Sequence, residues 1–428
     1  MSDASLTEFK FIHAADIHLD SPLHGLSRYE SAPVDAIRNA CRRAFENLID
    51  VAIEERVAFV LLAGDLYDGD WKDYSTGIFL SKQIGRLAQH NIRVFAVSGN
   101  HDAANRMTKS LESPANMKIF SSKRVETVKL DHLGVAIHGQ SFPSQHVDEN
   151  LAAGFCDAAK GLFNIGLLHT SLDGREGHAN YAPCSLDDLR SKEYQYWALG
   201  HIHKQEIVAK EPYVIFPGCI QGRHIRETGA KGCVVVTVND GVVSDIEKIA
   251  LDVLRWSLCV IDITDIDEMR GVLERVRKRI DQEIASAEGR PLAMRIRLQG
   301  ATTVADELAA YPDRLDQQIK ALSAETAGDE LWLERVENLT NRKLDLESTL
   351  ADDNPMGKLL QEIVTITRDT DNIDGLKQKV AELRQKAPSE TFGHDSILNL
   401  DEEQTLHRVV DEAKQMLIGR LLTVGAAK

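Results

Sequence analysis

Paired thiols are missing from this sequence. Its six cysteines, Cys41, Cys156, Cys184, Cys219, Cys233 and Cys259, are scattered, and none forms a Cys-x-x-Cys pair. Neither a thiolate zinc knuckle nor a disulfide framework is indicated; reduced, mostly buried thiols are expected. No run of about 18 apolar residues occurs, which argues against a membrane span. The first ten residues are polar and lack the apolar core of a signal peptide, so a cytoplasmic protein is expected. No G-x-x-x-x-G-K-[ST] loop is present, which is consistent with any nucleotide-driven motor being a separate chain. Positive charge is also short: Lys+Arg number 50 against 66 Asp+Glu, for a net −16. Long-range attraction to nucleic acid is therefore weak, and a DNA substrate would need a local basic patch or a partner subunit.

What is present suits a soluble globular chain, 43% hydrophobic and 27% charged. At 428 residues, two or three domains are expected. Histidine is unevenly placed: all but His394 and His407 lie at or before His224. Metal chemistry, if present, belongs to the N-terminal half.

That half alternates apolar runs with helical periodicity. Buried strands are expected at 11–15, 58–63, 94–97, 135–138, 165–168 and 197–199, with later ones at 214–216 and 233–238. Ile37, Cys41, Phe45, Leu48 and Ala52 keep helical spacing, and a second helix over 77–89 turns Ile78, Ile84 and Leu87 inward. This is an α/β pattern. We place the first domain at 1–250 and a small α/β accessory domain at 251–310, with a strand, a long amphipathic helix and another strand. Residues 311–428 are expected to be helical. There Leu315, Ile319 and Leu322 share a face, as do Trp332, Val336 and Leu339. Pro355 and Pro388 break the series before a last helix at 402–422.

Five polar segments each close an expected strand. They are Asp16-Ile17-His18, Gly64-Asp65-Leu66-Tyr67-Asp68, Gly99-Asn100-His101-Asp102, His169, and Gly200-His201-Ile202-His203. Ligands collect at strand ends of open α/β sheets. Asp16 and His18 can ligate one ion from the same side, and Asp65 is a small carboxylate suited to bridging two. Asn100 offers a neutral oxygen, and His169, His201 and His203 offer imidazoles. Mixed carboxylate and imidazole ligation favours manganese, iron or zinc over magnesium. Two such ions about 3.5–4 Å apart clamp an in-line displacement at phosphorus.

These segments resemble the D-x-H, G-D-x-x-D, G-N-H-D/E, His and G-H-x-H pattern of the calcineurin-like metallophosphoesterases. Within that family the chain is most similar to SbcD-type DNA repair exonucleases of the bacterial YhaO-like branch. The resemblance implies a four-layer α-β-β-α sandwich followed by a cap domain and a helical C-terminal region. It also implies two divalent ions, manganese first, with iron, zinc or magnesium as alternatives. Asp16, His18, Asp65 and His203 would hold one ion, with Asp65 bridging to a second completed by Asn100, His169 and His201. His101 would contact the scissile phosphate and assist the leaving oxygen, oriented by Asp102. Asp68 is read as a supporting acid, and His24, Arg223 and His224 as candidate substrate contacts. The implied partners are DNA, an SMC-like ATPase of the SbcC type docked on the C-terminal helices, and a second copy of the chain. Two rival readings share the site: a phosphatase or phosphodiesterase for nucleotides or phosphoproteins, and a catalytically idle scaffold bridging DNA and the ATPase.

Overall fold

The computed structural model describes residues 8–21, 34–68, 74–104, 114–174 and 180–343, with 358, 359 and 361. It falls into two compact units. One comprises Met1–Leu258, Asp281–Arg295 and Ala327–Glu334; the other holds Cys259–Ile280, Ile296–Thr326 and the described residues from Arg335 onward.

The first unit opens with β1 (Phe9–Ala14), α1 (Val34–Glu54), β2 (Phe59–Ala63), α2 (Ser75–Gln89), β3 (Arg93–Val97), the short α3 (Asn100–Ala104) and β4 (Met117–Ile119). β5 (Glu126–Leu130), β6 (Val135–Gln140), β7 (Phe163–His169), α4 (Leu186–Arg190), β8 (Tyr196–Gly200), β9 (Glu206–Lys210) and β10 (Tyr213–Phe216) follow, and β11 (Gly232–Asn239) and β12 (Val242–Ala250) are the last strands of its two large sheets. Two six-stranded sheets result, ordered β12-β11-β1-β2-β3-β4 and β5-β6-β7-β8-β10-β9.

Side-chain alternation sorts the strand residues between layers. Ile12, Ala14, Val60 and Leu62 join Phe45, Leu48, Ile84 and Leu87 in the core between the first sheet and α1 and α2. Their neighbours Phe11, Phe59 and Leu61 turn the other way, onto Ile137, Ile165 and Tyr196 of the second sheet. Phe11 stacks on Phe59 at 5.2 Å and meets Tyr196 edge-on at 5.2 Å. The far side of the second sheet carries Leu168, Trp197, Leu199 and Val214, covered by Phe142, Phe155 and Leu189. Four layers follow, with the last one thin because α4 has only five residues. Ile78, expected to face inward, is 61% exposed, and Leu80 is buried instead. Leu80, Ile84 and Leu87 keep 3–4 residue spacing, which Ile78 misses.

After the sandwich come β13 (Arg255–Asp262), α5 (Met269–Ser286), β14 (Leu292–Thr302), α6 (Ala305–Ala310), α7 (Pro312–Ala327) and β15 (Leu331–Arg342). The strands form a sheet in the order β13-β14-β15. Helix α7 buries Leu315, Ile319 and Leu322 as expected. The helical expectation for Trp332, Val336 and Leu339 is overturned, because these residues lie in β15. Glu334 and Glu337 there pair with Arg295 and Arg297 of β14, cross-strand contacts that a helix would not make. The accessory sheet thus extends past residue 310. The breaks at Pro355 and Pro388 and the expected helix at 402–422 lie outside the described residues. Among the described residues no helix is long and apolar enough to cross a membrane.

Candidate metal centre

Both sheets end at the same edge, and their terminal turns carry the site. Asp16 and His18 follow β1, Asp65 follows β2, and Asn100 opens α3 after β3. His169 ends β7, and His201 and His203 follow β8. The turns after β1 and β2 are tied together by Asp16 N–H donating to Gly64 O and His18 N–H donating to Asp65 O, both at 3.0 Å. Asp16, His18, Asp65 and His201 all adopt positive φ, at 52°, 47°, 52° and 106°. Such angles are uncommon for side-chain-bearing residues, and four of them gather here at the strand ends. At Gly200 a Cβ would lie 1.9 Å from Ala63 O, and at Gly99 it would lie 2.3 Å from Asp65 Oδ1, so both turns require glycine.

Five of the seven expected ligands come together in two groups. Asp16, His18 and His203 form one group able to hold an ion, and Asp16, Asp65 and His169 form another. Hydrogen bonding fixes which ring nitrogens carry protons. His169 Nδ1 donates to Ala63 O at 2.9 Å, so its Nε2 presents a lone pair. That lone pair meets Asn100 Oδ1 at 3.1 Å and Asp65 Oδ2 at 3.5 Å. His203 Nδ1 donates to Glu227 Oε1 at 2.6 Å, and its Nε2 lies 3.3 Å from His18 Nε2. His18 Nδ1 is buried with no hydrogen-bond partner. Lone pairs facing lone pairs in a buried cluster are what divalent cations bind, so these residues fit a two-metal site. Burial, then the charge of Asp65, pushes Asp16 well above the usual carboxylate range; burial raises Asp65 to about 6. Burial, then the Arg223 charge, holds His18 well below the usual histidine range. His201 is placed by its backbone N–H, which donates to both Asp16 oxygens at 3.1 Å.

His101 stands apart. Its side chain is 38% exposed, and its Nδ1 lies 2.7 Å from Asp68 Oδ1. Burial pulls its pKa down, but the Asp68 hydrogen bond and the charges of Asp65 and Asp68 raise it overall. The bonds from His101 and Ser21 and the Arg223 charge overcome burial and hold Asp68 at about 2. The expected orienting role of Asp102 is therefore corrected. Its carboxylate accepts the N–H groups of Leu66, Tyr67 and Gly99 at 3.0–3.2 Å, bracing two turns. Burial, then the Asp65 charge, raises it to about 7.

Arg223, a candidate substrate contact, sits beside the same Asp68 carboxylate. Its guanidinium donates to Asp68 Oδ2 at 3.1 Å and Glu227 Oε1 at 3.2 Å, and the side chain is only 12% exposed. His224 is exposed, with Nε2 3.6 Å from Glu227 Oε1. His24 lies outside the described residues. Glu227, which no sequence motif marked, is buried and accepts from both His203 and Arg223.

Residues 9–205 match the family model described as calcineurin-like phosphoesterase, and 256–341 match that of the middle domain of metallophosphoesterase YhaO. The chain is 37% identical over 347 residues to the uncharacterized metallophosphoesterase YhaO of Bacillus subtilis, covering 80% of this chain and 84% of that one. The chain belongs to the calcineurin-like phosphoesterases. It is thus a metal-dependent phosphoesterase. More distant similarity reaches two archaeal proteins named DNA double-strand break repair protein Mre11. The one from Methanocaldococcus jannaschii is 26% identical over 332 residues, 72% of this chain and 86% of that one. The one from Sulfurisphaera tokodaii is 24% identical over 288 residues, 63% and 70% of the two chains.

Proposed function

We propose that this calcineurin-like phosphoesterase is a DNA nuclease of the SbcD type, cleaving phosphodiester bonds in DNA repair as exonuclease and endonuclease. The observation that carries the phosphodiester chemistry is the exposed His101 bonded to Asp68 beside a buried ligand set. Similarity to DNA repair proteins over 332 residues, well past the catalytic sandwich, supports DNA as the substrate.

Asp16, His18, Asp65 and His203 would hold one divalent ion, and Asp65, Asn100, His169 and His201 the other, manganese being first choice for this donor set. When bound, two such ions make water nucleophilic at neutral pH and offset charge on the phosphoryl oxygens. His101 is the acid available to substrate. Protonated through its bond to Asp68, it reaches solvent and donates its Nε2 proton to the departing oxygen. Asp68 keeps that ring oriented and charged, and Arg223 keeps Asp68 ionised. Asp102 acts earlier in the causal chain, fixing the turns that carry Asp65 and His101.

The acidic chain gains little DNA affinity from its own charge, so an SMC-like ATPase of the SbcC type or a second copy of the chain supplies grip. The same acidity favours a second reading, a phosphatase or phosphodiesterase for nucleotides or phosphoproteins. Linear duplex and single-stranded DNA incubated with manganese, beside His101→Ala and a small chromogenic diester, separates the two. DNA cleavage lost in His101→Ala supports the nuclease; hydrolysis of the diester with intact DNA supports the rival.

A further inference from the structure

A second constellation of chemistry-bearing side chains stands on the sheet formed by β5 to β10, built from Cys156, His138 and Asn164. Of the six cysteines, Cys156 is exposed and the other five are buried. Asn164 settles the proton on His138. Its Nδ2 donates to the carbonyls of Ala159 and Leu162, at 3.1 and 2.7 Å, and its Oδ1 accepts the Ala159 N–H at 2.7 Å. Its oxygen therefore faces His138 Nε2, at 3.0 Å. A carbonyl oxygen only accepts, so Nε2 carries the proton and Nδ1 offers a lone pair. Cys156 Sγ lies 3.4 Å from that Nδ1.

The surroundings hold this arrangement. The His138 ring stacks on Tyr194 with centroids 4.5 Å apart and planes at 18°. Tyr194 O–H donates to Cys156 O at 2.7 Å, anchoring the cysteine backbone. Thr127 Oγ1 lies 2.8 Å from Nδ1 and 3.8 Å from Sγ. Its hydroxyl is within reach of both the Nδ1 lone pair and the sulfur. Tyr194 Oη, 3.7 Å from Sγ, adds a second polar neighbour. Burial holds His138 below the usual histidine range against the opposing Asn164 bond, so the ring stays neutral at pH 7 and its Nδ1 lone pair stays free of a proton. The nearby charges are Lys129, facing the imidazole, and Asp157, facing Tyr194. A cysteine, a base of fixed tautomer and an amide that orients the base are the parts of an activated nucleophile.

We propose that Cys156, His138 and Asn164 form a reactive-thiol site, separate from the metal centre, that takes low-molecular-weight disulfides. His138 Nδ1 accepts the thiol proton and the Cys156 sulfur attacks one sulfur of the disulfide. The disulfide S–S bond breaks as a mixed disulfide forms at Cys156. The departing thiolate keeps the bonding pair and recovers the proton from Nδ1. A small thiol reverses the reaction by the same exchange.

The test uses the full chain with oxidised glutathione at pH 7, quenched in acid and mapped by peptide mass spectrometry. The mixed disulfide is expected at Cys156, at least about tenfold faster than in a free synthetic peptide of residues 152–160. His138→Gln is expected to bring the rate down to that of the peptide, and Cys156→Ser to abolish labelling. The ratio of native chain to peptide needs no variant and decides the matter alone. A native rate at or below the peptide's, or earlier modification of another cysteine in the folded chain, would overturn the proposal.

Discussion

Glu227 Oε1 lies 2.6 Å from His203 Nδ1, although 24 residues of chain separate them. The carboxylate selects the tautomer in which His203 Nε2 faces the candidate metal centre, and it lies buried beside the Arg223 guanidinium, with His224 Nε2 3.6 Å away. Burial opposes its charge, but the His203 bond and the Arg223 charge hold its pKa well below the usual range. Glu227→Gln leaves the volume unchanged and weakens the hold on that tautomer. Manganese affinity measured by calorimetry is expected to fall about 10- to 100-fold. An unchanged affinity would mean that His203 needs no partner.

Asp68 and Asp102 are separated by a second experiment. Asp68→Asn is expected to lower kcat on a chromogenic diester by about 10²-fold, with two metals still bound. Asp102→Ala leaves three backbone N–H groups without their acceptor and is expected to cost about 3 kcal/mol of stability in urea unfolding. Reversed effects would return the orienting role to Asp102.

Chelation offers a third. Without cations, the lone pairs of His169, Asn100 and Asp65 face one another. Removing divalent ions should lower Tm, and returning manganese at about 100 times its Kd should restore about 2.7 kcal/mol. A Tm indifferent to chelator would rule out metal binding by this cluster.

Acid provides the fourth, at a residue outside the centre. His13 is fully buried between Tyr196 Oη and Leu199 O, and burial pushes its pKa down to about 3. In the unfolded chain it protonates near 6.5, so between about 3 and 6.5 the unfolded state binds the extra proton. The stability is complete above pH 6.5 and is lost as pH falls toward 3. At pH 5 the loss is about 2 kcal/mol relative to pH 7. His13→Gln should flatten the urea-unfolding difference between these two pH values by that amount, and an equal slope would show that His13 does not carry it.

Much of the site was legible because each ligand sits in a short motif at the end of an apolar strand. Asp16, His18, Asp65, His169 and His203 fall into two groups able to hold an ion, Asn100 meets His169, and His201 joins through its backbone N–H. What the sequence hid was side-chain partnership across the fold. Asp102 adjoins His101 in the chain, but neighbours on a helix diverge by about 100°, and the acid that reaches the ring is Asp68 from another turn. Glu227 carries no motif because its partner lies on a different strand end. The strands β4, β5, β9 and β12 escaped because they are short or carry charge on their open faces, which blurs the alternating pattern. In β15, Trp332, Val336 and Leu339 mimic helical spacing by coincidence, while the pairing of Glu334 with Arg295 is silent in one dimension.

The strand order also has a consequence for the newly made chain. The second sheet, β5 to β10, is continuous in sequence and can assemble as it leaves the ribosome. The first cannot: Phe9 in β1 waits for Val238 in β11. Asp16, held just past β1, is the first of the candidate ligands synthesised, yet its strand gains its last neighbour only after His203 has emerged. The edge that carries the candidate ligands is thus all translated by His203, while the sheet behind Asp16 stays one strand short until β11 arrives.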